Sequence, residues 1–177
     1  MVQTSSMTPF LKWAGGKQSL LPQILGHFPD DIETYYEPFL GAGSLFFAMP
    51  AGLPKVVSDY NSELVLTYET IRDNVDGVLD ELRLRKNSKD DYLLVRSWDR
   101  GPEFASRSAE SRAARFIYLN KCGFNGLYRV NKEGNYNVPY GHPKSVDFVM
   151  EHKLRAVSDF LKAKTKFNFF LLFRKMI

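Results

Sequence analysis

Two glycine clusters and one aspartate carry the residue types from which a ligand site can be built. Gly41-Ala42-Gly43 follows "YYEPFL" and precedes the apolar run Leu45-Phe46-Phe47. This predicts a strand that stops at a glycine turn and restarts as a helix, the place where open α/β sheets hold a cofactor. Asp59 lies at the end of "KVVSDYN" (residues 55–61), which reads as a second short strand. A carboxylate there can accept hydrogen bonds from both hydroxyls of a ribose. Upstream, "PFLKWAGGKQSLLPQI" places Trp13, Gly15, Gly16 and Lys17 ahead of the first helix. A cation has the wrong sign for a helix N-terminus, so Lys17 is expected to have another task, such as holding a carboxylate. The indole of Trp13 offers a face to an aromatic ring or a sulfonium, and it also suits plain packing.

The glycine turn departs from two familiar nucleotide sites. A dinucleotide fingerprint places a third glycine where this chain has Phe46, although Asp59 stands near the distance of its acidic residue. No lysine follows the turn at the spacing of a phosphate-cradling Walker A loop. A cofactor with a ribose and no pyrophosphate fits these departures, and S-adenosylmethionine is such a cofactor. A turn of this kind also occurs merely to join a strand to a helix.

The elements that must position these groups follow from periodicity. Lys17 to Phe28 reads as a helix with Pro22 in its first turn. "TYYEPF" and "KVVSDYN" read as strands, and "SELVLTYETIRDN" as a helix capped by Ser62. This βαβα order predicts the first half of a parallel, doubly wound, Rossmann-like sheet in an α/β protein. Residues 1–74 form its cofactor-binding part, and residues 75–155 read as an insert of helices followed by a hairpin over 123–144 with "KEGN" at its tip. Within the insert, "DRGPEFASRS" is expected as a loop and "SRAARFIYLNKC" as a helix. Residues 156–177 return to the sheet, beginning with "KTKFNF". The apolar run "FNFFLLF" is expected to lack sheet neighbours and to aggregate.

Composition narrows the class. The chain has 177 residues, 24 Lys and Arg against 20 Asp and Glu, and so a formal charge of +4. That excess permits anionic partners without requiring them. The single Cys122 excludes an internal disulfide and a cysteine-rich metal site. His27, His142 and His152 show no metal-ligand spacing, so no metal is expected. No stretch reaches the ~20 apolar residues of a membrane helix. The expectation is a soluble protein of a reducing compartment.

Taken together, "FLKWAGGK", "EPFLGAGSLF", "VVSDYNSELV" and "YLNKCGFNGLYRVNKEGNYNVPYG" resemble the Dam-type (D12 class) DNA adenine-N6 methyltransferases. The likeness covers residues 9 to about 160. It implies that Trp13 and Lys17 contact S-adenosylmethionine, that Glu37 and the Gly41–Gly43 loop shape its pocket, and that Asp59 binds its ribose. It also implies that the insert reads double-stranded DNA, with GATC as the expected site, in a cytoplasmic, nucleoid-associated protein. In that reading Phe124 and Asn125 fill the gap left by an extruded adenine, and Arg129 reads a guanine. Asn120 and Asn131 are further amide readers, Tyr128, Tyr136 and Tyr140 are aromatic surfaces beside Phe124, Pro139 belongs to the same region, and Lys132 and Lys144 suit phosphates.

The family orients the adenine amino group with an Asp-Pro-Pro-Tyr segment beyond the recognition region, and those four residues do not occur consecutively here. "NVPY" (Asn137–Tyr140) has Val138 at the first proline and lies inside the recognition segment. The expectation is therefore a fragment, truncated or frame-shifted before the catalytic motif, with no catalytic residue of its own. Two rivals remain: a non-catalytic DNA-binding or regulatory module, and a nicotinamide-dependent oxidoreductase, which Phe46 disfavours.

Overall fold

A computed structural model of the chain describes Ser5 and residues 7–167. The first expected helix is shorter than its periodicity suggests. A 3-10 turn at Gln18–Leu20 leads into α1 (Leu21–Leu25), where Pro22 occupies the first turn and Gly26 caps the end. The next four elements follow the expected alternation: β1 (Tyr35–Glu37), α2 (Ser44–Ala48), β2 (Lys55–Val57) and α3 (Ser62–Asp73). β2 ends two residues before Asp59, so the aspartate stands in the loop beyond the strand rather than on it.

Helices dominate from there: α4 (Val75–Arg83), α5 (Lys89–Arg96), α6 (Ala109–Cys122) and α7 (Glu151–Lys162), followed by β3 (Thr165–Phe167). The loop expected over Asp99–Ser108 winds into two 3-10 turns, Ser97–Arg100 and Pro102–Ser106. Four helices begin behind a polar cap. Asn61, Asn74, Ser88 and Ser108 each accept a bond from the N–H three residues on, a cap contributing about 1 kcal/mol. The cap of α3 is therefore Asn61, one residue before the expected Ser62. A side-chain oxygen at that position reaches the Leu64 N–H at 3.1 Å.

The three strands form a parallel sheet in the order β1-β2-β3, with Tyr35 opposite Lys55 and Lys55 opposite Thr165. Parallel strands are covered on both faces, and the middle strand is accordingly buried. Its Lys55 is fully enclosed, with Nζ donating to the carbonyls of Ala51 and Leu53 at 2.8 and 2.7 Å, and burial pushes the amine down to about 8. Among the described residues β1 is an edge strand. The apolar residues of "FNFFLLF" after Phe167 lie outside the described residues.

One continuous apolar cluster joins the sheet to the helices, from Phe10, Phe46 and Phe47 through Tyr68 to Phe160 and on into α4 and α6. α6 lies along α3 and is buried on nearly every side from Ala113 to Cys122. Residues 75–155 thus share the core of the α/β part. The expected hairpin over 123–144 is looser than a regular two-stranded ladder. Two antiparallel bridges, Gly123 to Tyr140 and Val130 to Tyr136, hold it together. Its tip falls at the expected place: Gly134 takes φ +84°, and Asn135 N–H donates to Asn131 Oδ1 at 2.8 Å.

Candidate functional site

The glycine turn after β1 is shaped by the aspartate after β2. Gly41 N–H donates to Asp59 Oδ2 at 2.8 Å, and Asn61 N–H donates to Asp59 Oδ1 at 2.9 Å. The carboxylate therefore ties two loops at the C-terminal ends of adjacent strands. Each oxygen keeps acceptor capacity for one further donor. Gly41 has φ +52°, and a Cβ there would stand 2.9 Å from Trp13 Cδ1, so a close approach to the indole and a left-handed backbone both require glycine. Gly43, at φ +71°, begins α2 in the same conformation.

These groups line one cleft of about 200 Å³. Trp13, Lys17, Glu37, Gly41, Gly43 and Asp59, six residues spread over 47 positions of sequence, all face it. A second, mainly apolar cleft of about 460 Å³ adjoins it along β1 and shares Lys17, Glu37, Phe39 and Leu45. Together they reach the size of a cofactor pocket, about 300–1,000 Å³. A carboxylate for hydroxyls, an amine for a carboxylate and an indole wall suit a ribosyl ligand that carries an amino-acid group.

Glu37 is 8% exposed, and Oε2 accepts the Tyr35 hydroxyl at 2.8 Å. Burial pushes its carboxyl above the ordinary value of 4.5, while the Tyr35 bond and the nearby Lys17 charge favour the anion and limit the rise. An acid held above its unfolded value binds its proton more tightly in the folded chain. That contribution to stability is fully present below about 4.5 and is lost as pH rises through the folded value. Glu37→Gln is therefore expected to gain stability relative to the parent above pH ~4.5, at up to about 1.4 kcal/mol per pH unit across that window. Denaturant titrations from pH 4 to 8 check this, and a constant difference would contradict it.

The expected DNA-facing residues divide into two groups. Phe124 is 51% exposed, Asn125 beside it is exposed with φ 54°, and Pro139 and Arg129 also reach the surface. Arg129 Nε donates to Asn137 Oδ1 at 2.7 Å. Asn131 holds the hairpin tip, and the Tyr140 hydroxyl donates to Asn87 Oδ1 at 2.7 Å.

Tyr136 is 3% exposed and its hydroxyl donates to the Leu127 carbonyl at 3.0 Å, so it packs inward instead of offering a surface to DNA. Asn120 also departs from its expected role. It is 3% exposed, its Oδ1 accepts the Lys12 N–H, and its Nδ2 donates to the carbonyls of Lys12 and Gly126. Its amide is spent on fastening the Lys12–Trp13 segment and the 124–126 turn to α6, so it scaffolds the site rather than presenting an edge to a base. Asn120→Ala is expected to cost about 1–3 kcal/mol, because it strands buried backbone partners. Chemical denaturation measures this, and a loss below a few tenths would return the residue to the surface group.

Sequence reasoning passed over Phe116 and Asn61. Phe116 sits in a helix that is buried on nearly every side, so its periodicity singles out no face and the residue carries no local signal. Asn61 was visible as a capping residue two positions after Asp59. Among the described residues no helix is long and apolar enough to cross a membrane.

A profile of the D12 class N6 adenine-specific DNA methyltransferase family matches residues 13–172. The chain is 40% identical over 158 residues to the Type II methyltransferase M1.LlaDCHI of Lactococcus lactis subsp. cremoris, covering 88% of this chain and 55% of that protein. It is 38% identical over 174 residues to the Type II methyltransferase M.MjaIII of Methanocaldococcus jannaschii, covering 87% and 59%. The DNA adenine methylase of Escherichia coli K12 is 38% identical over 144 residues, covering 78% and 49%. The chain spans about half the length of the curated relatives it matches.

Proposed function

The chain belongs to the D12 class N6 adenine-specific DNA methyltransferases, and from that premise we propose that it supplies the cofactor-binding and DNA-recognition parts of a site-specific enzyme. The reaction is methyl transfer from S-adenosylmethionine to N6 of adenine in duplex DNA, at GATC. The observation that carries this reading is the meeting of Trp13, Lys17, Glu37, Gly41, Gly43 and Asp59 around one cleft. The bound cofactor would supply an electrophilic methyl group. Asp59 accepts the ribose hydroxyls while it keeps the glycine turn in place, Lys17 holds the methionine carboxylate, and Trp13 provides the wall for the adenine or sulfonium.

In this reading residues 1–74 and 156–177 belong to a doubly wound Rossmann-like sheet, and residues 75–155 are the recognition region. The strand order supports it. β1-β2-β3 runs outward in sequence, and in the doubly wound order a fourth strand pairs on the other side of the first. The apolar cleft runs along β1, with Tyr36 and Phe39 68% and 62% exposed. Such a fourth strand would bring an acceptor-orienting loop to the C-terminal ends of the strands, beside Asp59.

On the DNA side, Phe124 and Asn125 enter the space of the extruded adenine, Arg129 reads a guanine edge, and Lys132 and Lys144 meet phosphates. Pro139 and Tyr140 frame the same surface. The enzyme acts at the nucleoid. Arg129→Ala is expected to cost about 1–3 kcal/mol of discrimination at one base position. Lys144→Ala should weaken all duplexes alike and flatten the salt dependence. Competition binding with cognate and scrambled duplexes separates the two, and equal losses for Arg129→Ala would make it a backbone contact. The reading as a whole is tested by titrating S-adenosylmethionine and a GATC duplex into the purified chain. Binding of neither ligand would overturn it.

A further inference from the structure

Trp13 is not held by its own segment. Its indole stacks on Tyr128, with ring centroids 5.6 Å apart at 23°, and on Phe116, at 6.2 Å and 22°. Phe116 and Tyr128 lie 5.3 Å apart at 27°, so three near-parallel rings form one packet. Phe116 belongs to the buried face of α6, and Tyr128 follows the Phe124–Gly126 turn at the base of the hairpin. The pyrrole edge of the indole also lies against Gly41, which lines the cleft. The main chain just before Trp13 is pinned to the same region by two Asn120 hydrogen bonds to Lys12 and by Lys12 packed on Gly126, whose carbonyl takes the third Asn120 bond.

The Tyr128 phenol also lies near the Asn61 side chain, and the Asn61 backbone N–H donates to Asp59 Oδ1 at 2.9 Å. One side chain of the hairpin base thus stacks on the indole and neighbours the residue that anchors the aspartate loop. Offset-stacked rings gain beyond their buried area, and their geometry is directional. A ring in this place fixes both the position and the tilt of the indole in the cleft.

We propose that Tyr128 is a positioning residue for the cofactor site, holding the Trp13 indole, with Phe116, at the angle from which it walls the cleft. The residue acts through Trp13 and does not touch the ligand. This inference rests on the reading of the cleft as an S-adenosylmethionine site.

The test uses the 177-residue chain in a Trp98→Phe background, which leaves Trp13 as its one tryptophan. Tyr128→Leu removes the ring, and Tyr128→Phe keeps it. Acrylamide quenching of Trp13 fluorescence reports the hold on the indole without any ligand. Calorimetry with S-adenosylmethionine reports its consequence, and thermal unfolding checks that each variant is folded. Tyr128→Leu is expected to raise the quenching constant about twofold and to weaken cofactor affinity about fivefold, a change of the size an aromatic pair supplies. Tyr128→Phe is expected to restore both. A folded Tyr128→Leu chain with quenching and affinity like the parent overturns the proposal, as does a change in quenching with no change in affinity. If the parent itself binds no S-adenosylmethionine while the quenching responds as expected, the cofactor reading has failed, and this role falls with it.

Discussion

A polypeptide of these 177 residues is expected to transfer no methyl group to adenine N6 when incubated with labelled S-adenosylmethionine and a GATC duplex. The exocyclic nitrogen of adenine is a poor nucleophile, because its lone pair is delocalised into the ring. It reacts only when neighbouring groups hold the amino group so that the lone pair points at the methyl. Proximity and orientation of this kind lower a barrier by roughly 7–11 kcal/mol. The Asp-Pro-Pro-Tyr segment that supplies them in the family resemblance does not occur in the sequence. The alternative segment, "NVPY", offers no substitute acid: Asn137 Oδ1 accepts from Arg129, Val138 is 1% exposed, and the Tyr140 hydroxyl is engaged by Asn87. Fusing a relative's Asp-Pro-Pro-Tyr segment to the chain is expected to restore transfer, through pairing at the side of β1 that carries no strand among the described residues. Clear transfer by the 177 residues alone would show that another segment orients the adenine, with "NVPY" the first to be mutated.

The parts of this chain that were legible in the sequence are those specified locally. Glycines needed at positive φ, a proline in a first helical turn and polar caps act through their own neighbours, so the β1–glycine turn–α2 unit and the "KEGN" tip could be read from residue types. The aspartate was legible as a strand-end acid. Its hold on Gly41 was not, because that hydrogen bond spans 18 positions. The extent of α1 was misread because periodicity alone cannot register that the chain enters through a 3-10 turn and leaves at Gly26. Asn120 was misassigned for a similar reason. An asparagine in "YLNKC" looks like an exposed amide, and only the burial of α6 against residues 108 positions away turns it inward. The packet of Trp13, Phe116 and Tyr128 joins three distant segments and has no periodic trace. The residue types of the cleft were readable one by one, while what holds them in place is tertiary.

Asp59→Ala is expected to weaken S-adenosylmethionine binding by about 1.5–3 kcal/mol, the range for a hydrogen bond to a charged group. The structure gives that substitution a second effect, since it also releases the N–H groups of Gly41 and Asn61. Asp59→Asn keeps one acceptor oxygen and the side-chain shape, and is expected to fall between the parent and Asp59→Ala. A variant that stays folded but loses affinity places the aspartate at the ligand, whereas a matching fall in thermal stability would point to the loop alone.

The central claim is that the cleft beside Asp59 holds S-adenosylmethionine, and calorimetric titration of the parent chain tests it most directly, with the Asp59 variants and a nicotinamide dinucleotide as comparisons. The account predicts one site for S-adenosylmethionine that weakens in folded Asp59→Ala, and no heat from the dinucleotide. Affinity unchanged in the folded variant, or binding of the dinucleotide in place of S-adenosylmethionine, would contradict it.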